Sequence, residues 1–212
     1  MTRPAAQNRF LQPSRDGRRR LLSQHFIAAV EPLLERGERY SNLTVERLLR
    51  EVKVARSTFY AHFDDKGDLL AAMAENIQND LFASGQSWWT FPSTGDKQAL
   101  REALAPSFQV HRANQGIMAA LAEAAAYDDG VRDRYLALIA MIIDNLEQHI
   151  RQAQHDRSAC PDLDPRHTAE WLVWMLERGL HLVVGPATDA QIDGIHDAAT
   201  DIVWRTLYQG YR

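Results

Sequence analysis

Apolar residues along most of this chain recur at intervals of three and four, which is the spacing of one face of an α-helix. The sequence contains no useful run of strand-like alternation, no internal repeat and no low-complexity tract. The spacing predicts a first helix from Leu21 to a stop at Gly37. Further helices are predicted within 45–52, 55–63, 66–82, 96–112, 116–126, 129–155, 165–184 and 189–208. The predicted fold class is therefore all-α.

Two short helices separated by a tight turn stand out near the N-terminus. Thr44 occupies the N-cap position before the first of them, and its hydroxyl can accept from a free backbone N–H there. Only Lys53 and Val54 separate this helix from the next one. Asp65 then caps a longer linking helix at about 66–82. This succession predicts a helix-turn-helix at the end of a three-helix bundle.

The second short helix has two different faces. Phe59 and Phe63 are four residues apart, so they share one face, whereas Tyr60 points elsewhere, near Arg56 and Ser57. An aromatic pair on one face is suited to a core. The opposite face offers hydroxyls and a cation to a partner.

Charge is distributed unevenly along the 212 residues. The net charge is -4, yet residues 1–70 carry +4 and the remainder -8. A basic first third and an acidic remainder indicate a polyanionic partner at one end, although charges also segregate by chance. The single cysteine, Cys160, fits a reducing compartment. No apolar run is long enough to span a membrane and no secretory signal is recognisable, so a cytoplasmic location is expected.

The segment "STFYAHFDDK" (57–66) resembles the signature of the TetR-type bacterial transcription regulators. It keeps the spacing of a threonine, three aromatic residues, a histidine and a cation, carried by Thr58, Phe59, Tyr60, His62, Phe63 and Lys66. The resemblance covers about residues 15–80. Two departures occur where members have glycine in the turn and often serine as the next cap, because this chain has Lys53 and Ala55 there.

The resemblance implies a domain plan and a set of DNA contacts. It implies a flexible basic arm at 1–14, a helix-turn-helix domain at 15–64, and a larger ligand-binding and dimerisation domain at 65–212. Arg56 is the expected base reader, and Ser57 and Tyr60 are expected to reach bases. Phosphate contacts are expected from Thr44, Arg47, Thr58, His62 and Lys66, with Lys53 as an added cation beside the DNA.

The resemblance also implies a repressor that binds an inverted-repeat operator and is released by a hydrophobic small molecule. The segments "YDDGVRDRY" (127–135) and "LERGL" (176–180) look most like those of actinobacterial members with a deep apolar ligand channel. The expected lining residues are Phe108, Met118, Tyr135, Ile139, Ile142, Trp171, Trp174 and Glu177. Glu177 needs a partner because it is a carboxylate in an apolar helix, and adjacent Arg178 is expected to be a poor one.

The last two predicted helices have features of an interface. The helix at 167–185 is apolar on nearly every side and so needs cover on all sides. The last helix carries a stripe at Ile192, Ile195, Ala199, Ile202 and Thr206. Both features fit a four-helix homodimer interface, and ordinary packing within one chain explains each of them equally well.

The sequence leaves three other function classes open. A metal sensor would use His149, His155, Cys160 and His167, but their spacing matches no known ligand pattern, and neither a metal nor another cofactor is expected. An enzyme would use Glu177 or His181 as a base, yet the sequence contains no phosphate loop, nucleophile elbow or HExxH motif, so a non-enzyme is expected. The third is a helical ligand-binding protein whose DNA contacts have decayed.

Overall fold

The computed structural model describes residues 14–84 and 95–209. Within these ranges the chain forms nine α-helices and no strand, as the sequence predicts. They are α1 (Arg15–Glu35), α2 (Val45–Val52), α3 (Arg56–Tyr60), α4 (Lys66–Ser84), α5 (Lys97–Ala113), α6 (Gln115–Ala124), α7 (Asp129–His155), α8 (Pro165–Gly179) and α9 (Asp189–Leu207). None of the described helices is long and apolar enough to cross a membrane.

Helix α1 begins about two turns earlier than the apolar spacing predicts. Ser14 caps it by accepting from the backbone N–H of Gly17 at 3.1 Å. The arginines that follow are good helix formers, so the segment is helical without apolar residues to mark it. The basic junction after residue 14 is therefore part of α1, and the rest of the predicted arm lies outside the described residues.

The helix-turn-helix has the predicted cap and turn. The Thr44 hydroxyl accepts from the backbone N–H of Arg47 at 3.2 Å. Lys53 ends α2 in the left-handed conformation, with φ 56° and ψ 41°. Ala55 precedes α3 and makes no side-chain cap hydrogen bond. Helix α3 itself ends at Tyr60, and Phe63 continues the backbone bonding one turn further through Phe59.

The left-handed turn makes a small stability prediction. A residue with a β-carbon costs about 1–2 kcal/mol in this region. Glycine avoids this cost, but its greater flexibility in the unfolded chain cancels part of the gain. We expect Lys53→Gly to raise the free energy of unfolding by about 0.5–1 kcal/mol in urea denaturation. Lys53→Ala keeps the β-carbon and is the control. Equal stabilisation by both variants would show that the lysine charge, and not the backbone, carries the cost.

The body is assembled around α4. This helix contacts α1, α5, α6 and α7, while α8 packs on α7 and α9 on α5. Helix α6 is held against α1 through Gly116, where an added β-carbon would lie 2.6 Å from the Leu34 Cβ. The buried Glu31 carboxylate of α1 accepts from the backbone N–H groups of Gly116 and Ile117, so α1 caps the N-terminus of α6.

The predicted helix at 165–184 is divided in the structure. Helix α8 ends at Gly179, and a π-helical turn covers Leu180–Val184 before α9 begins. π-Helical turns are often found at functional sites because they change the direction of side chains within a helix. Here the turn contributes side chains both to an internal cavity and to an outer groove, described below.

Candidate DNA-binding surface and internal cavity

Helix α3 is fixed to α1 by aromatic packing. Phe59 and Phe63 are essentially fully buried. Their rings lie 6.0 and 6.1 Å from the ring of Phe26 in α1, both nearly edge-to-face. Such pairs contribute about 0.5–1.5 kcal/mol beyond the area they bury. The predicted core role of both phenylalanines is confirmed, and α3 is held in one orientation.

The opposite face of α3 is open to solvent. Arg56, Ser57, Thr58 and Tyr60 are all exposed, and Tyr60 retains 46% of its accessible surface. A recognition helix in the major groove uses its N-terminal side chains to reach base edges. The face presents one guanidinium and three hydroxyls at the positions where such a helix would read DNA.

Arg56 is engaged within the free protein. Its Nη1 donates to the Glu46 carboxylate of α2 at 2.9 Å, and its guanidinium lies 5.4 Å from the Tyr60 ring centroid. Both charged side chains of the ion pair are mostly exposed. An exposed pair of this kind is worth at most about 1 kcal/mol, so Arg56 can exchange Glu46 for another acceptor at low cost.

The predicted phosphate contacts on α2 and the turn are accessible. Thr44 is exposed at the start of α2, and Lys53 is exposed at its end. Arg47 is half-buried and pairs with Glu51 at 2.7 Å. Contact of these residues with phosphate stays a prediction.

Lys66 has a structural role that the sequence analysis did not identify. Its Nζ donates to the backbone carbonyls of Ser41 and Leu43, at 2.6 and 3.3 Å. The ammonium thereby ties the start of α4 to the segment before α2. His62 is half-buried, with a buried Nδ1 that has no hydrogen-bond partner. Both residues are thus less free to bind phosphate than an exposed side chain would be.

An ion network joins the helix-turn-helix to the body. Asp68 of α4 accepts two hydrogen bonds from Arg19 of α1, at 2.8 and 2.9 Å, and a third from Arg134 of α7. Arg19 also donates to the His62 carbonyl, just beyond α3. Burial alone would raise the pKa of Asp68, but the hydrogen bonds from the two guanidiniums outweigh it and hold that pKa well below its usual range.

An internal cavity of about 130 Å³ lies among α4, α5, α6, α7, α8 and the π-helical turn. Its walls are mainly apolar, and its lining includes six of the eight residues predicted to bind a ligand. They are Phe108, Met118, Tyr135, Ile139, Ile142 and Glu177. An engineered apolar cavity of about 150 Å³ takes up benzene, so this volume suits a group the size of one aromatic ring.

Two predicted lining residues lie outside the cavity. Trp171 is 79% exposed and is not among the residues that line the cavity. Trp174 is half-buried and contacts Tyr135 with ring centroids 6.4 Å apart, but it does not line the cavity. The prediction that Trp171 and Trp174 line the ligand site does not match this cavity. The sequence of a helix that is apolar on nearly every side does not show which side faces inward.

The carboxylate of Glu177 has the partner it was expected to need. Tyr135 donates its hydroxyl to Oε1 at 2.6 Å. Burial, with Glu177 alongside, raises the pKa of Tyr135, so the phenol keeps its proton. Contrary to expectation, Arg178 approaches Oε2 with its Nε at 3.3 Å, although without the geometry of a hydrogen bond.

A buried histidine in the cavity wall was not among the predicted residues. His111 of α5 is only 4% exposed, and its Nε2 has no hydrogen-bond partner. Burial and the nearby His181 lower the pKa of His111 to about 4. The interaction with the Leu180 backbone acts in the opposite direction but is outweighed. The imidazole is therefore neutral near neutral pH. Its position at the end of α5, before the Asn114 break, gave no sign of a cavity.

The π-helical turn and α9 form an apolar groove on the outside. Leu182 and Val183 are more than half exposed, and Ile202 nearly so. They line the groove with Ile195 and Ala199 of the predicted stripe. Packing within the chain uses a different stripe of α9, formed by His196, Thr200, Val203 and Leu207. The expectation that the helix at 167–185 is covered on all sides is not met within a single chain.

The four residues considered for a metal sensor do not assemble. Nε2 of His149 is hydrogen-bonded to the Tyr208 hydroxyl at 2.7 Å, while His155 and His167 lie beside Asp156 and Asp164. Among the described residues, no three histidine, cysteine or acidic side chains form a group that could hold a metal ion.

Comparison with known proteins gives a family for the N-terminal domain. Residues 28–73 match the model of the family described as "Bacterial regulatory proteins, tetR family". This range contains the C-terminal part of α1, the whole helix-turn-helix and the start of α4. No curated protein matches the chain.

Solved structures share the fold along nearly the whole chain. A protein described as a TetR-family transcriptional regulator from Rhodococcus sp. is 23% identical, with 88% of this chain and 97% of that chain covered and a TM-score of 0.64. Salmonella enterica GusR is 16% identical, with coverage of 94% and 99% and a TM-score of 0.71. A transcriptional regulator from Saccharomonospora viridis, solved with choline, is 16% identical, with coverage of 89% and 98% and a TM-score of 0.67. The N-terminal domain thus resembles that of the TetR family, and the chain shares its overall fold with these structures.

Proposed function

We propose that this protein is a ligand-responsive transcriptional repressor that binds an inverted-repeat operator as a homodimer and leaves it when a small apolar molecule binds. The observation that carries the proposal is the division of α3 into two faces. Phe59 and Phe63 hold the helix on α1, while Arg56, Ser57 and Tyr60 remain exposed. The proposed domains are 15–64 for DNA and 65–212 for ligand and partner, with α4 as the link.

The internal cavity supports the ligand part of the proposal. Small-molecule sites are concave and mainly apolar, with a few polar groups that fix orientation. The cavity has this composition, and two of the helices that line it belong to the ion network: Asp68 of α4 contacts Arg19 of the DNA-binding half, and Arg134 of α7 contacts Asp68. A ligand changes DNA affinity only through a difference in its affinity for two conformations. Assignment to the actinobacterial subgroup stays a prediction.

The outer groove supports a homodimer. Exposed apolar side chains on adjacent elements, such as Leu182, Val183 and Ile202, are typical of interaction surfaces. An isologous contact would pair this groove and α9 with the same elements of a second copy. Two copies would then present two α3 helices to half-sites separated by a whole number of helical turns.

The test is a titration of the protein onto fluorescent duplex DNA from its own upstream region, against a scrambled duplex, at two salt concentrations. We expect specific binding that Arg56→Ala weakens by about 1–3 kcal/mol, or about five- to 150-fold, since a guanidinium can take both acceptors of a guanine. Arg151→Ala removes an equally charged, exposed and ion-paired arginine from α7 and is the matched control. Glu46→Gln frees Arg56 and should leave affinity unchanged or raise it.

Equal, weak binding to both duplexes would exclude self-regulation at that site. If selection from genomic DNA also returned no preferred sequence, the DNA-reading function would be rejected. The remaining function would then be that of a helical ligand-binding protein with decayed DNA contacts.

A further inference from the structure

The cavity wall contains two buried polar atoms without hydrogen bonds, and both are acceptors. One is Oε2 of Glu177, whose other oxygen already accepts from Tyr135. The other is Nε2 of His111. In the neutral tautomer that carries its proton on Nδ1, His111 presents the lone pair of Nε2.

Among the described lining residues, none supplies a fixed cation. This part of the wall contains neither lysine nor arginine, and its remaining polar side chains, Gln78, Ser107 and His181, can each donate or accept. Arg178 approaches Glu177 with a side chain that is 53% exposed, so solvent screens its charge. The Tyr135 hydroxyl is already used. Apart from the solvent-screened Arg178, the two free acceptors therefore meet no charged donor from the described wall.

Burying an acceptor without a partner costs about 1–3 kcal/mol, and more for a charged group. A ligand that brings donors recovers this free energy, whereas one that brings only acceptors adds repulsion. Hydrogen bonds to ionised groups are also about twice as strong as neutral ones. An ammonium group offers three donors and a charge opposite to that of Glu177.

From this we infer that the effector is an aromatic-ring-sized apolar molecule carrying a primary amine, with its ammonium directed at Glu177 and His111. This inference rests on the proposed effector role of the cavity and specifies its ligand class. Neutral alcohols of the same shape bind more weakly, and carboxylates are excluded by the acceptor-rich wall. The polar end of the cavity selects the amine group of the ligand, and the apolar walls limit the size of the rest of the ligand.

The test uses three probes with one skeleton: 2-phenylethylamine, 2-phenylethanol and 3-phenylpropanoate. Binding to the full chain is measured by calorimetry without DNA, so the result is readable whether or not the protein recognises an operator. We expect the amine to bind about tenfold or more tightly than the alcohol, and the carboxylate not to bind. Glu177→Gln should weaken amine binding by about ten- to a hundredfold and change alcohol binding far less.

Glu170→Gln, which lies outside the cavity wall on the same helix, is the matched control and should bind like the wild type. Far-UV circular dichroism checks that Glu177→Gln is folded, and the ranking of probes on the wild type needs no variant at all. Preference for the carboxylate, equal binding of amine and alcohol, failure of all three probes, or an amine affinity unchanged in Glu177→Gln would each overturn the inference. A negative result in the DNA-binding test would leave the inference about the amine ligand intact and would reject only the regulator function.

Discussion

Phe59→Ala should lower the free energy of unfolding by about 3–5 kcal/mol, the range for removing a fully buried aromatic side chain. The Phe59 ring contacts Phe26, Phe63 and Tyr60, with centroids between 5.1 and 6.0 Å away. These contacts fix a helix of only five residues, which has no side-chain cap to hold it. Urea denaturation followed by far-UV circular dichroism measures the change. Operator binding should fall with it, because α3 loses its anchor.

The neighbouring residue provides the contrast. Tyr60→Ala removes an aromatic side chain of similar size from the exposed face of α3, and we expect it to cost no more than about 1 kcal/mol of stability. It should nonetheless weaken operator binding, since Tyr60 belongs to the proposed reading face. Equal destabilisation by the two variants would contradict the division of α3 into a packing face and a reading face.

The helices were largely predictable because local spacing decides them. The sequence-based bounds of α2 and α7 agree with the structure, and those of α5, α6 and α9 differ by one or two residues. The exceptions have physical causes. Helix α1 starts earlier because Ser14 and arginines form helix without an apolar signal, and the π-helical turn at Leu180–Val184 has the same composition as the helix it interrupts.

The site was predictable only in part. Signature spacing marked Arg56 and Tyr60 as exposed and Phe59 as buried, as the structure has them. It did not show that Lys66 donates to backbone carbonyls across the domain. The direction in which Trp171 and His111 point depends on the rotation of α8 and α5 within the bundle. When a helix is apolar on nearly every side, its sequence alone does not determine that rotation.

Contacts between distant residues were the least predictable. Asp68 is 49 residues from Arg19 and 66 from Arg134, and its place in the sequence shows only that it lies in the first turn of α4, near the positive end of the helix. Nothing local distinguishes a carboxylate that caps a helix from one that joins three helices. The same holds for Glu31, which reaches the start of α6 across 85 residues.

Removing the Asp68 carboxylate should therefore destabilise the junction between the DNA-binding half and the body. Breaking a buried ion pair by deleting one partner costs about 3–5 kcal/mol, but Arg19 and Arg134 are 29% and 50% exposed, so water partly solvates the charges left behind. We expect Asp68→Ala to lower the free energy of unfolding by about 3 kcal/mol at neutral pH. Asp197→Ala, which breaks an exposed ion pair between α5 and α9, should cost no more than about 1 kcal/mol.

The effect of Asp68 should also depend on pH in one direction. Its pKa in the folded protein lies below the ordinary aspartate value of about 3.9, so the carboxylate stabilises the fold fully above that value. As the pH falls through 3.9 towards the folded-state pKa, the unfolded chain takes up the proton first and this contribution is lost. The stability difference between wild type and Asp68→Asn should accordingly be largest at neutral pH and shrink on acidification. A difference that stayed constant, or grew, below about pH 4 would show that Asp68 acts through packing or neutral hydrogen bonds and not as a charge shared by two arginines.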